Sequence, residues 1–369
     1  MKKFLVILAT ILLSATLCLG ALVSCSGKKG KQYTTTAYFG TQTVMVIYDG
    51  SVRKEDEEKA DKTWQEVKAV FAEVEASVGR ENSLLADFNA LEAGETMETD
   101  VHFYNLLKLS AKIYDQTDGA FNPAVAPLVK LWGFLPSDMP FARKDGELPS
   151  QEYIDKLLLL TDFSEVKFTE AEGKYYVTKP LASVTIEGKT YTAELDFSGI
   201  GKGYAAGLAA EVMKEAGYVY GYVSAGSSSL VLLKNNSDDY GSGENWYVDL
   251  VHPTRQDIYA RIEKNSVSVS TSGDYENNFL YQGKTYSHII DGKSGKPFDN
   301  GMRCVTVVCD DPASGDAYST AFCVMGEEKT LEFLKNHPEL EAIFVTGKDV
   351  LQVYNGVGAV ITASDITEK

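Results

Sequence analysis

Cysteine and histidine are scarce in this chain, with five cysteines and four histidines among 369 residues. None of the cysteines has the Cys-x-x-Cys or Cys/His spacing that is typical of a zinc site. Cys304 and Cys309 lie five residues apart on a predicted strand, where an odd separation places side chains on opposite faces, so they cannot form a disulfide with each other. The sequence therefore predicts buried free thiols rather than a zinc centre or a small disulfide-stabilised scaffold.

Basic residues are outnumbered by acidic ones, since the chain has 35 Lys and Arg and 52 Asp and Glu, which gives a formal net charge of −17. A nucleic-acid-binding protein needs surplus cationic side chains to neutralise phosphates, so no nucleic acid is expected as a partner. Hydrophobic residues make up 44% and charged residues 24% of the chain, which is typical of globular proteins. A chain of this length is expected to bury a sizeable core.

The first 24 residues are predicted to be a targeting segment. Two lysines at positions 2 and 3 precede an apolar run from Phe4 to Leu19, which is the layout of an export signal. The run is too short to predict a membrane span. The residues that follow, Leu22-Val23-Ser24-Cys25, resemble the lipobox of bacterial lipoproteins, in which the cysteine thiol is acylated and becomes the new N-terminus.

This pattern divides the chain into a signal peptide at residues 1–24, a polar tether at 25–35 and a single domain at 36–369. It predicts a protein anchored by lipid on Cys25 at the extracytoplasmic face of the cell membrane, on the periplasmic or the cell-surface side. The alternative is an ordinary cleaved signal peptide in which Cys25 plays no part.

Helical and strand-like patterns follow one another without a regular alternation. Strands are predicted at 37–48, 218–224, 229–233 and 246–252, hairpins within 165–196, and helices at 54–77, 102–116, 205–213 and near 316–336. Because regular helices do not separate the strands, a doubly wound parallel sheet is not favoured. We predict an α+β fold with mixed, largely antiparallel sheets and flanking helices.

Three glycines cluster where a predicted strand meets a predicted helix, in the segment Asp196-Phe197-Ser198-Gly199-Ile200-Gly201-Lys202-Gly203-Tyr204. Glycine lets a backbone approach a ligand closely, and a helix N-terminus offers free N–H groups to an anion. The dinucleotide fingerprint Gly-x-Gly-x-x-Gly is not met, because Tyr204 stands where its third glycine is required. The segment is therefore either an anion-binding turn or a packing feature.

Two further segments carry groups with possible chemistry. Asp316 and Thr320 lie four residues apart on a predicted helix, so a carboxylate and a hydroxyl share one face, as a Mg²⁺ site requires. Asp316 is equally explained as a first-turn acid that favours the helix dipole. His288 lies on a predicted strand and is a candidate general base near neutral pH, although a structural role explains it as well.

In this order along the chain, these segments resemble the ApbE family, the FAD:protein FMN transferases, which are exported bacterial lipoproteins. The resemblance runs from about Phe39 to the last strands. It is carried by residues 39–41, 83–89, 118–123, 131–134, 196–204, 271–275, 287–291 and 316–320. It implies an ApbE-like fold with a flavin cleft between two lobes. The implied reaction is Mg²⁺-dependent transfer of FMN from FAD to a threonine of an acceptor protein, with a phosphoester bond formed and AMP released.

The resemblance also implies roles for individual residues. It assigns flavin contacts to Phe39, to the turn Ala120-Phe121-Asn122, and to Asp196, Lys202 and Ile290. It assigns Mg²⁺ ligation to the backbone carbonyl of Gly199 with Asp316 and Thr320. It assigns His288 to deprotonation of the acceptor threonine. The implied acceptor is an exported or membrane subunit of a flavin-dependent electron-transfer complex.

Two departures from the family pattern bear on function. Gly79 stands where many members carry a larger side chain against the adenine side of the pocket. Because some members hydrolyse FAD to FMN and AMP instead of transferring FMN, a bare Gly79 keeps an FAD pyrophosphatase as an alternative. Ser227-Ser228-Ser229 stand where a second glycine is usual, so a different local backbone is expected. A non-catalytic flavin-binding lipoprotein is a further alternative, although it would not need Asp316, Thr320 and His288.

Overall fold

The structure is a computed structural model that describes residues 30–48, 54–236, 240–253, 257–347, 351–354 and 359–361. The predicted signal peptide and Cys25 lie outside the described residues. None of the helices in this part of the chain combines the length and the apolar character needed to cross a bilayer.

Among the described residues, the helices predicted at 54–77 and 102–116 agree with the structure to within one residue, whereas those predicted at 205–213 and near 316–336 begin four residues earlier than predicted. The α-helices are α1 (Lys54–Val78), α2 (Leu84–Ala90), α3 (Val101–Gln116), α4 (Ala126–Leu131), α5 (Gln151–Leu158), α6 (Gly201–Glu215) and α7 (Pro312–Lys335). Short 3₁₀ helices span Pro123–Val125 and Phe163–Glu165. Asp100 begins α3 by accepting a hydrogen bond from the Phe103 N–H, which satisfies one of the free donors of the first turn.

Strands occupy much of the rest of the described chain. They are β1 (Lys31–Tyr38), β2 (Thr41–Ile47), β3 (Thr96–Thr99), β4 (Lys167–Ala171), β5 (Lys174–Thr178), β6 (Ser183–Ile186), β7 (Lys189–Thr192), β8 (Gly221–Ala225), β9 (Ser229–Leu232), β10 (Gly241–Ser242), β11 (Asn245–Val251), β12 (Ile258–Lys264), β13 (Ser268–Gly273), β14 (Asn278–Tyr281), β15 (Lys284–Ser287), β16 (Ile290–Asp291), β17 (Lys296–Pro297), β18 (Met302–Cys309), β19 (Glu341–Thr346), β20 (Leu351–Tyr354) and β21 (Ala359–Ile361).

One large antiparallel sheet organises the fold, with the strand order β1-β2-β8-β9-β13-β18-β19-β20. A second sheet has the order β10-β11-β12-β21 and a third the order β3-β5-β4. The hairpins β6–β7, β14–β15 and β16–β17 complete the set. Antiparallel pairing throughout these sheets confirms the predicted α+β class, whereas the division into two lobes around a flavin cleft stays a prediction.

Strands β2 and β18 of the large sheet are buried on both faces, so they carry apolar side chains on both sides. On β2, Met45 and Ile47 pack with helices α1, α3, α6 and α7, whereas Val46 and the next residue after the strand, Tyr48, pack against the second sheet. On β18, Cys309 faces the helices and Cys304 faces the second sheet. This period of two confirms that these cysteines point to opposite faces, and both are free and buried. A third core joins α4 and α5 to the hairpins β6–β7 and β14–β15.

The predicted strand at 37–48 is wrong as a single strand, because it is a hairpin. β1 and β2 are joined by Phe39 and Gly40, which both have positive φ, at 51° and 61°. Two such residues make the tight turn whose twist matches an antiparallel pair. β1 also begins at Lys31, inside the segment predicted as tether, because Lys31 pairs with Ile47 across the hairpin and with Asp61 of α1 at 2.8 Å.

Helix α7 is interrupted at Gly326, whose φ of 76° and ψ of 175° are not helical. Asn300 supports the end of the first half, since its side-chain amide donates to the carbonyls of Cys323 and Val324, both at 2.9 Å. Asp316 and Thr320 therefore belong to a first half that has its own C-terminal cap.

Lys179 is a buried cation that closes one end of α2. Its side chain is 1% exposed and its ammonium donates to the carbonyls of Asn89 and Leu91, at 2.7 and 2.8 Å. Burial lowers the pKa of Lys179 to about 8 from its usual 10.5. The folded protein therefore releases this proton at a lower pH than the unfolded chain does.

We expect Lys179→Met to remove a pH dependence of stability. Between pH 8 and 10.5 the unfolded chain binds more protons at this site than the folded protein, so wild-type stability rises with pH. Across this pH window, the free energy of unfolding of the wild type should rise by about 1 to 3 kcal/mol relative to that of Lys179→Met. Urea unfolding at several pH values measures the difference, with exposed Lys112→Met as the control. A difference that does not change with pH would contradict the prediction.

Candidate functional site

The turn at Phe39 places an aromatic side chain at the tip of the first hairpin. The backbone N–H of Phe39 donates to the Glu75 carboxylate of α1 at 2.7 Å. Its ring packs edge-on against Phe71, with 6.5 Å between ring centroids. A methyl group on Gly201 would lie 3.8 Å from the Phe39 ring, so the hairpin tip sits beside the start of α6. The glycine-rich segment and Phe39, far apart in sequence, therefore meet.

The glycine-rich segment brings the first half of α7 to Gly199. A methyl group on Gly199 would lie 3.3 Å from the Thr320 hydroxyl and 3.5 Å from the Phe121 ring. The contact with the Thr320 hydroxyl would be tighter than usual and that with the Phe121 ring an ordinary van der Waals contact, so the missing side chain at Gly199 eases the approach of Thr320. Phe121 itself is 3% exposed and belongs to the main core, so its ring supports Gly199 from the inside.

Asp316 is a buried carboxylate that is held by two donors. The N–H of Gly203 in the first turn of α6 donates to Oδ2 at 2.9 Å, and the hydroxyl of Ser229 on β9 donates to Oδ1 at 2.8 Å. A methyl group on Gly203 would lie 2.2 Å from the carbonyl oxygen of Pro312, so only glycine allows α7 to come this close. Each carboxylate oxygen has a second lone pair, so the acid retains capacity to bind a cation.

Thr320 lies in a network of hydroxyl groups. Its Oγ1 is 3.1 Å from Ser272 Oγ of β13 and 3.3 Å from the Asp316 carbonyl, to which it donates. Ser272 Oγ is also 2.7 Å from Ser319 Oγ. A hard cation prefers carboxylate, hydroxyl and carbonyl oxygens. Asp316, Thr320 and the backbone at Gly199 are of that kind and lie together, so they fit the predicted Mg²⁺.

His288 follows β15 and has a fixed tautomer. Its Nδ1 is 3.1 Å from the carbonyl oxygen of Asn277, which can only accept, so Nδ1 carries the proton and Nε2 is free to act as a base. The ring is half-buried and packs edge-on against Phe134, with 6.4 Å between the ring centroids. Burial lowers the pKa of His288 below its usual 6.5, although the Asn277 carbonyl opposes the shift.

Charged groups from two other segments, the glycine-rich segment and the end of α1, act on His288. Lys202 and Arg80 lower the pKa of His288, whereas Asp196 raises it. Asp196 is itself fixed by Ser198, whose N–H and hydroxyl donate to its two carboxylate oxygens at 2.9 Å each. The structure therefore places the predicted residues His288, Asp196 and Lys202 close enough for their charges to interact.

Asn122 and Ile290 occupy supporting positions. The Asn122 side chain accepts from Ala124 N–H at 2.8 Å and donates to the Thr161 carbonyl at 2.9 Å, so both ends of its amide are used. Ile290 is 4% exposed and packs in the third core. Ala120 is half-buried and lines a groove of about 340 Å³ beside Asp291. These side chains fix the backbone of the turn, and direct flavin contact by them stays a prediction.

Comparison with known proteins decides the family. The sequence model of the ApbE family matches residues 39–344.

The chain belongs to the ApbE family.

A relative from Escherichia coli strain K12, named FAD:protein FMN transferase, is 30% identical over 261 residues, which cover 70% of this chain and 69% of the relative. The apo crystal structure of flavinyl transferase ApbE from Pseudomonas stutzeri is 26% identical, with a TM-score of 0.69 over 88% of this chain and 93% of that one. The ApbE protein of Thermotoga maritima is 25% identical, with a TM-score of 0.70 over 88% and 96%. These matches confirm the predicted family and fold.

Gly79 closes α1 in this ApbE protein. Its N–H donates to the Glu75 carbonyl at 2.7 Å, and a methyl group on Gly79 would lie 2.5 Å from that same oxygen. The backbone as it stands therefore excludes a side chain at this position. The departure from the family pattern at Gly79 is built into the local fold.

Several residues of this ApbE site were not identified from the sequence. The Glu276 side chain is exposed, yet partial desolvation by the surrounding protein raises its pKa. The nearby Asp316 raises the pKa of Glu276 further, whereas Lys202 lowers it. The position of Glu276 directly after the family motif at 271–275 was the available signal. Ser229 was noted only as part of the departure at 227–229, and its contact with Asp316 has no local signal; Glu75 is identified only by its contact with Phe39.

We expect the imidazole of His288 to titrate below pH 6.5 in the ligand-free protein, because burial disfavours its charged form. Proton NMR of the ring, assigned with His288→Gln, measures the midpoint. Lys202→Met should move the midpoint upward, since it removes a cation that disfavours protonation. A midpoint at or above 6.5 in the wild type would contradict the assignment of a neutral base.

Proposed function

We propose that this protein transfers FMN from FAD to a threonine hydroxyl of an acceptor protein and releases AMP. Membership of the ApbE family and relatives named FAD:protein FMN transferase support this proposal. The observation that carries it is the meeting of Gly199, Thr320 and Asp316 at the glycine-rich start of α6. A helix N-terminus with a cation site beside it suits a diphosphate.

Asp316, Thr320 and the Gly199 carbonyl would hold Mg²⁺. When bound, Mg²⁺ supplies positive charge that neutralises the diphosphate in the ground state and in the transition state. The chain's own part is to fix the oxygens that bind the cation. Gly203 and Ser229 hold the carboxylate of Asp316, and Ser272 contacts the hydroxyl of Thr320.

In the proposed reaction, the acceptor threonine oxygen attacks the phosphorus on the FMN side of FAD. A new P–O bond forms, the bond from that phosphorus to the bridging oxygen breaks, and AMP leaves with the bridging oxygen. His288 Nε2 accepts the threonine proton, because Nδ1 already donates to Asn277. A lowered pKa keeps His288 neutral, and thus basic, at neutral pH. Aromatic Phe39 and the turn at Ala120-Phe121-Asn122 border the flavin, with Asp196, Lys202 and Ile290 nearby.

Hydrolysis of FAD by water is a second candidate, and Gly79 is the observation that favours it. Gly79 is buried and the backbone excludes a side chain there, so this chain lacks the side chain that many family members place against the adenine side of the pocket. Incubation of the protein with FAD and Mg²⁺, with and without a candidate acceptor, separates the two reactions. A transferase adds the mass of FMN to the acceptor in intact-mass spectrometry. AMP release at the same rate without the acceptor would replace this proposal by the pyrophosphatase.

We expect Asp316→Asn to reduce FMN transfer by roughly 10²-fold or more, because it removes the charge of the proposed cation ligand while keeping its shape. Thermal unfolding in EDTA should change much less than activity does. EDTA should abolish FMN transfer by the wild type, and added Mg²⁺ should restore this activity. Full transfer by Asp316→Asn in the presence of EDTA would reduce Asp316 to a structural acid at the start of α7.

We further propose that the mature protein is anchored by lipid on Cys25 outside the cytoplasm, where it acts on an exported or membrane subunit of a flavin-dependent electron-transfer complex. The lipobox pattern and the export signal support this location. A single acyl chain anchors weakly, so more than one is needed for firm attachment.

Cys25→Ala should move the protein out of the membrane fraction and remove the lipid mass. The wild type, expressed in parallel, serves as the reference. Unchanged fractionation of Cys25→Ala would show that the anchor lies elsewhere.

A further inference from the structure

The sequence departs from the family pattern at Ser227-Ser228-Ser229, and the last of these serines lies at the start of a strand. β8 ends at Ala225 and β9 begins at Ser229, with these two residues paired across the hairpin. The next strand secures the loop, since Thr271 N–H donates to the Ser228 carbonyl at 2.8 Å. Ser229 is thus fixed by the hairpin and not by a mobile turn.

Ser229 is buried, and its hydroxyl is hydrogen-bonded to the proposed metal ligand Asp316. The side chain is 1% exposed, and its hydroxyl is 2.8 Å from Asp316 Oδ1. An ionised carboxylate only accepts, so Ser229 donates. The Gly203 N–H holds the other oxygen at 2.9 Å. Two donors from different elements therefore fix the rotation of the carboxylate plane.

A neighbouring serine provides a natural comparison. Ser270 on β13 pairs directly with Ser229 on β9, and it is also 1% exposed. Its hydroxyl lies under α7, since a methyl group on Gly315 would stand 3.2 Å from it. Among the described residues it has no hydrogen-bond partner. The two serines share burial, register and environment, and differ in the bond to Asp316.

We propose that Ser229 is a positioning residue for the metal site, which sets the orientation of Asp316 and thereby the affinity for the divalent cation. This inference rests on the proposed function, because it requires Asp316 to be a metal ligand. Groups that orient a metal ligand without touching the metal typically change metal affinity about 10- to 100-fold when they are removed. Ser229 is expected to affect the binding of the cation and not the rate of the chemical step, because it contacts a metal ligand and not the substrate.

The test is a titration of the mature protein with Mn²⁺ as a Mg²⁺ probe, followed by electron paramagnetic resonance in the presence of FAD and without an acceptor. Ser229→Ala should weaken Mn²⁺ binding about 10- to 100-fold. Ser270→Ala removes the same atoms at the paired position and should bind Mn²⁺ within about twofold of the wild type. In transfer assays, Ser229→Ala should require more Mg²⁺ for half-maximal rate, with nearly normal kcat at saturation.

Folding of each variant is checked by circular dichroism in EDTA. If Ser229→Ala does not fold, Ser229→Cys keeps the side-chain volume and replaces a strong donor by a weak one, so it should also bind Mn²⁺ less tightly. Equal Mn²⁺ affinity for Ser229→Ala and Ser270→Ala, with tight binding by the wild type, would overturn the role of Ser229 and leave the proposed function standing. Absence of Mn²⁺ binding by the wild type would overturn both.

Discussion

The contact between the Asp316 carboxylate and the first turn of α6 is the constraint on which the site depends. It exists because Gly203 leaves room for the Pro312 carbonyl, so that α6 and α7 approach more closely than any side chain at position 203 would allow. Gly199, two residues before the helix, and Thr320, one turn further along α7, are brought together by the same approach. The geometry of the site is therefore set by the spacing of two helices on a covered sheet, and not by the shape of a loop.

This arrangement also resolves the two readings of the glycine-rich segment. Gly203 is a packing residue, since its N–H and its missing side chain position α7. Gly199 stands against the Thr320 hydroxyl, where a ligand for a cation is proposed. One segment thus contains a glycine required for packing and another that is proposed to be functional, and the sequence alone does not separate them, because the partner of each lies more than a hundred residues away.

Much of the fold could be predicted from local patterns. Helix α1 was expected at 54–77 and spans 54–78, because its apolar residues repeat at helical spacing and Gly79 follows. The faces of Cys304 and Cys309 followed from the period of a strand. The pairing of Lys31 with Ile47 could not be predicted, because it depends on a turn in which a phenylalanine adopts a positive φ. The placement of Asp316 and Thr320 one turn apart on a helix could be predicted from their spacing, whereas the contact of Ser229 with Asp316 depends on a distant strand and could not.

The break at Gly326 separates two tasks within what looks like a single helix. The half with Asp316 is capped by Asn300, whereas the half beyond Gly326 contributes Lys329, Glu332 and Phe333 to the groove beside Ala120. A continuous helix transmits a shift at one end to the other as a rigid rod, but an interrupted hydrogen-bond ladder does not. The two halves stay in contact through side chains, because the Phe333 ring of the outer half packs on Tyr318 and Phe322 of the first half, with 5.6 and 5.5 Å between ring centroids. A change of tilt in the outer half therefore reaches the half with Asp316 through these rings and not through a continuous backbone ladder.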